Sequence, residues 1–264
     1  MFISHKHKFI FFHVPKTAGS FIERKLAQML GESEWRTEWS CEEWGTQIKG
    51  GKGEKKQNYI KHMRPFAFRK HHPDRFRDYY KFAIVRDPWG WHLSFFSMIT
   101  QWRKFSSIHG HHAKNHEGRI HPLNDYATFE EFIKGGGSGL GPKEGVAHMS
   151  RENGSPCHRF LQSTKMPMEG DPKAEMLVDD LIMFDDLQKG ITTACGKIGI
   201  DAIDVSDRDS STIEGREEPI DCSSKHPRYS EAYDREMATM VAELNWLDIR
   251  RFGFTFKGKT KGKT

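Results

Sequence analysis

Twice along this chain an unbroken apolar run gives way abruptly to a helical rhythm. Phe9-Ile10-Phe11-Phe12-His13-Val14 is followed, after a short polar turn, by Phe21, Ile22 and Leu26 at helical spacing. Phe82-Ala83-Ile84-Val85 ends at Arg86-Asp87-Pro88 and opens another long mixed segment. Continuous apolar runs of this length mark strands buried on both faces, as in a parallel sheet. The pattern predicts strands over 8–14, 57–61, 81–86 and 180–184. It predicts helices over 19–31, 73–78, 88–104, 128–134, 145–162, 185–198 and 230–245. Thr128 with Glu131 three residues later has the spacing of a capping box. Strands alternating with helices imply an α/β fold, three layers in the order αβα, around a central and largely parallel sheet.

The turn after the first strand carries the chemistry. Pro15-Lys16-Thr17-Ala18-Gly19-Ser20 joins a strand directly to a helix N-terminus. Unsatisfied backbone N–H groups and the positive end of the helix dipole point at whatever occupies such a turn. Lys16 adds a mobile cation, and Thr17 and Ser20 add hydroxyl groups, so the turn suits a phosphate-like anion. It is not a Walker A loop: Lys16 precedes Gly19 instead of following a glycine, and no G-K-[ST] is present there. After the second strand, Asp87 is a good N-cap and Pro88 a good first helical residue. Arg86 then lies at a strand's C-terminal end, where open α/β sheets bind ligands. Its planar fork matches phosphate oxygens in pairs, and Ser94 follows two helical turns on.

These words resemble those of sulfotransferases that use 3′-phosphoadenosine-5′-phosphosulfate (PAPS), in particular the heparan and related carbohydrate enzymes. P-K-T-A-G-S after a hydrophobic strand is similar to their 5′-phosphosulfate loop. Arg86-Asp87-Pro88 with Ser94 matches their 3′-phosphate motif R-D-P-x-x-x-x-x-S, although Gly90-Trp91-His92 stands where the family usually has an arginine. His62 occupies the place of a histidine base. Leu181 to Leu187 looks like the strand ending in F-E-x-L, and Asp248 to Phe254 like the D-x-x-x-F-G-[YF] ending. The match runs over roughly residues 8–256. It implies a P-loop-like fold and one sulfotransferase domain over 1–256, with a basic tail at 257–264.

The resemblance also assigns roles. Pro15, Lys16, Thr17, Ala18, Gly19 and Ser20 would bind the 5′-phosphosulfate, while Arg86 and Ser94 would bind the 3′-phosphate, with Lys225 as a further cofactor contact. Lys16 would neutralise the leaving oxygen, and His62 would take the proton of an acceptor hydroxyl. His13, next to the loop, competes for that task but reads better as packing or loop support. The reaction needs no metal. The expected acceptor is a small molecule or glycan bearing a hydroxyl group; a nucleotide kinase and a non-catalytic nucleotide- or glycan-binding relative are the alternatives.

Composition trims this picture without changing it. The 264 residues carry 41 basic and 36 acidic side chains, a net charge of +5. That excess is what one nucleotide site and the Lys/Gly/Thr tail require, and it does not point to nucleic acid. No apolar run reaches the roughly 18–20 residues that span a bilayer, and the chain lacks a signal-peptide pattern, so a soluble, cytoplasmic protein is expected. Cys41, Cys157, Cys195 and Cys222 form no C-x-x-C pair, which reads as reduced thiols. The histidines at 109, 111, 112, 116 and 121 sit in a polar loop better suited to facing substrate than to holding metal. The glycine-rich run 135–141 follows a helix-like segment and reads as a hinge.

Overall fold

A computed structural model describes residues 1–31, 62–108, 126–134, 155–163, 173–206 and 229–258. Four strands form an open sheet in the order β1 (Phe2–Ser4), β2 (Phe9–Phe12), β3 (Tyr80–Val85) and β4 (Asp180–Met183). β2, β3 and β4 run parallel, while β1 pairs antiparallel with β2 at the edge. The expected mostly parallel sheet is present. β1 was missed because three residues give too short a run to set a period.

The chain divides into two units, the first comprising 1–86, 159–167 and 173–211. It holds the sheet, α1 (Gly19–Leu30), α2 (Pro65–His71), α3 (Pro73–Asp78) and a long helix Leu187–Ile198 entered through a 3₁₀ turn at Phe184–Asp186. Alternate strand residues face opposite ways. Phe11 joins Phe9, Phe82 and Ile182 in a core shared with Phe21 and Leu26 of α1 and with Ile191. Phe12, one residue on, meets Phe68 of α2 edge-on at 5.9 Å and Phe76 of α3 at 6.4 Å. Helices therefore cover both faces of the sheet. Gly190 sits so close to β4 that a Cβ there would lie 2.3 Å from Ile182 Cγ2.

The second unit, 87–158, 168–172 and 212–264, is helical where described. Its elements are α4 (Pro88–Ile108), α5 (Phe129–Lys134), α6 (Pro156–Leu161, continuing into the first unit), α8 (Tyr229–Ala232), α9 (Arg235–Leu244) and α10 (Trp246–Phe252); Leu187–Ile198 is α7. The capping box at α5 forms in both directions: Glu131 N donates to Thr128 Oγ1 at 3.1 Å, and Thr128 N donates to Glu131 Oε2 at 3.1 Å. The helix expected over 230–245 is instead two. It breaks at Tyr233, whose buried hydroxyl donates to Trp89 O at 2.9 Å, and Asp234 then caps α9 by accepting from Met237 N at 2.7 Å. Of the helix expected over 145–162, the described part begins at Pro156 and ends at Leu161. The strand expected at 57–61 lies outside the described residues.

A buried polar network explains the D-x-x-x-F-G words near the C-terminus. The Asp248 carboxylate accepts from Cys157 N at 3.1 Å and His158 N at 2.7 Å, satisfying first-turn donors of α6. Asp248 N donates to Ser155 Oγ at 3.0 Å. Asn245 Oδ1 accepts from Ser155 N, and its Nδ2 donates to Val241 O, each at 2.7 Å. Those bonds fix the amide, so at 3.0 Å His92 Nε2 must accept from Nδ2. Only a neutral ring can do that.

Burial lowers the pKa of His92 from 6.5 to about 4. As pH falls, the unfolded chain therefore takes up this proton first. The contribution is complete above the unfolded value and is lost as pH drops from 6.5 towards 4. Urea unfolding should show the wild type losing about 2–3 kcal/mol more between about pH 7 and pH 4.5 than His92→Gln, which keeps an acceptor and does not titrate. Parallel pH profiles would contradict this.

Candidate functional site

The turn after β2 takes an unusual backbone path. Lys16 and Ala18 both adopt left-handed conformations, at φ 66° and 63°, where residues with a Cβ are uncommon. Ala18 caps α1 through its carbonyl, which accepts from Phe21 N at 3.0 Å and Ile22 N at 3.2 Å. Left-handed residues interrupting a turn at a helix N-terminus turn successive N–H groups inward and form an anion-binding concavity. Thr17 is fully buried, and its hydroxyl donates to Val14 O at 2.8 Å. The hydroxyl fastens the loop to the strand, so what Thr17 offers an anion is its backbone N–H. Pro15, Lys16 and Ser20 are half-buried.

His13 supports this loop from below. Its ring packs over Gly19, where a Cβ would fall 2.0 Å from His13 Cδ2. It stacks on Phe11 with centroids 6.2 Å apart, and its Nδ1 donates to Glu23 Oε1 at 3.0 Å. Glu23 also accepts from the Met1 ammonium at 2.6 Å and is fully buried. Burial opposes the charge on Glu23, but that ammonium and His13 outweigh it and hold the carboxyl well below the usual carboxylate range. Sequence reasoning passed over Glu23. The available signal was its spacing: Gly19 and Glu23 are four apart, on one face of α1.

His62 stands beside His13, the two rings meeting edge-on with centroids 4.5 Å apart. His62 Nδ1 lies 3.1 Å from His13 O. A carbonyl only accepts, so Nδ1 carries the hydrogen and the neutral ring has its lone pair on Nε2. The His13 side chain is 4 % exposed, whereas His62 is half-buried. Of the two histidines weighed as bases, His62 is the more accessible and His13 is the loop support.

Arg86 follows β3 directly, and its Nη1 donates to Lys16 O at 3.2 Å. The two cations singled out from separate motifs are thus joined through the loop backbone. Asp87 Oδ1 accepts from Gly90 N at 2.7 Å, the expected cap of α4. Ser94 is buried in α4 of the second unit. Lys225, Cys41, Cys222 and the histidines at 109–121 lie outside the described residues, while Cys157 and Cys195 are buried free thiols. Among the described residues no helix is long and apolar enough to cross a membrane.

A family model described as "Sulfotransferase family" matches residues 1–255. With that match over nearly its whole length, the chain belongs to the sulfotransferase family, a class of transferases. Comparison with curated proteins and with solved structures finds no match.

The seat of His13 over Gly19 makes a direct test possible. Gly19→Ala must displace the ring from a packed site, which costs about 1–3 kcal/mol. Urea unfolding should show a loss in that range. A variant as stable as the wild type would contradict the close approach.

Proposed function

We propose that this protein transfers a sulfuryl group from PAPS to a hydroxyl acceptor, with carbohydrates the acceptor class implied by the resemblance. The observation carrying this reading is the left-handed turn at Lys16 and Ala18, held against α1 and tied by Arg86. It favours an anion bound by backbone N–H groups and a lysine. The residues fit the donor's charge: Lys16 and the N–H groups of Thr17, Gly19 and Ser20 would hold the 5′-phosphosulfate, with Pro15 and Ala18 shaping the turn. Arg86 and Ser94 are assigned the 3′-phosphate on the motif alone, and Lys225 a further contact on the family resemblance alone.

PAPS supplies an activated sulfuryl group. The chain's own work is positioning, charge stabilisation and proton transfer. Nε2 of His62 accepts the proton of the acceptor hydroxyl while Nδ1–H stays on the His13 carbonyl, so ring and tautomer remain fixed. Lys16 would neutralise the negative charge that the leaving oxygen gains in the transfer. A lysine and backbone donors match the modest charge of a sulfuryl group.

Calorimetry tests the donor assignment. Adenosine 3′,5′-bisphosphate should bind roughly ten- to a hundredfold more tightly than AMP, the value of one charged hydrogen-bonding partner. Equal affinities, or a preference for ATP with magnesium, would overturn the reading.

A further inference from the structure

The guanidinium of Arg86 is held on two sides. One N–H donates to Lys16 O, and the Cζ atom lies 4.3 Å from the centroid of the Phe184 ring. Sheet register brings the aromatic there: Val85 pairs with Met183 in the parallel β3–β4 ladder, so Arg86 and Phe184 each directly follow the ends of adjacent strands. Phe184 is itself anchored, packing against the core that holds Phe82 and Ile182. The sequence marks Phe184 only as one letter of an F-x-x-L word; the contact gives that letter a task.

Resting on the assignment of Arg86 to the 3′-phosphate, we propose that Phe184 is a positioning residue that sets the discrimination between 3′,5′-bisphosphate nucleotides and 5′-monophosphates. An arginine in water loses considerable rotamer freedom when a phosphate orders it. Here the ring face and the Lys16 carbonyl order the fork in advance, so less affinity is lost on binding. An aromatic face engages the π surface of the guanidinium fork and not its N–H edge, which is the edge that hydrogen-bonds a phosphate. Phe184 acts through Arg86, and its effect falls on nucleotides that carry a 3′-phosphate.

The test is calorimetry of adenosine 3′,5′-bisphosphate and AMP with wild type, Phe184→Leu and Phe184→Tyr. Leucine keeps apolar bulk without the π face; tyrosine keeps the face. In Phe184→Leu the preference for the bisphosphate should fall roughly 2- to 30-fold, with AMP affinity unchanged, and Phe184→Tyr should restore it. Should Phe184→Leu not fold, Phe184→Met takes its place with the same expectation. A wild-type preference that survives in the leucine or methionine variant overturns this inference alone, as does an equal loss for both nucleotides. A wild type without any preference overturns the donor assignment and this inference with it.

Discussion

His13 is the joint on which the site depends. Its backbone carbonyl fixes the tautomer of His62, its ring fills the space over Gly19, and its Nδ1 is paired with the charged Glu23. One residue at the end of a strand thereby sets the distance between loop and helix and the orientation of the neighbouring imidazole. The ring is seated between Phe11 and Gly19, with its side chain 4 % exposed. On the proposed reading, these two adjacent histidines divide the labour, His13 holding the loop and His62 serving as the base.

The sheet performs the same kind of work at a second point. Parallel register sets Arg86 beside Phe184, and the N–H that Arg86 donates to Lys16 O ties the ends of β2 and β3 together. Lys16 holds a left-handed backbone at a cost of order 1 kcal/mol or more, and that bond to its carbonyl helps retain it. Residues from separate motifs are thus mechanically connected.

Much of this was legible in the sequence because it rests on local patterns. The continuous apolar runs gave β2 and β3, and the strand–turn–helix junction gave the loop. Asp87-Pro88 and Thr128 with Glu131 gave helix starts within one residue. What was not legible depends on partners distant in sequence. The break at Tyr233 follows from a hydroxyl reaching Trp89, 144 residues away. Asp248 looked like one letter of a motif, yet it caps a helix 91 residues upstream. Thr17 was expected to offer its hydroxyl to the anion, but fastening the loop to Val14 takes that donor. Glu23 lay unread within an amphipathic stripe because its partners, His13 and the Met1 ammonium, lie outside α1.

The division of labour between the histidines is tested most directly by measuring radiosulfate transfer from PAPS to a panel of glycan acceptors, alongside calorimetry of adenosine 3′,5′-bisphosphate. His62→Ala should bind the nucleotide as the wild type does and transfer sulfate roughly 10²- to 10⁴-fold more slowly, the usual cost of losing a general base. An active His62→Ala, beside a folded and nucleotide-binding His13→Ala that transfers nothing, would contradict the account.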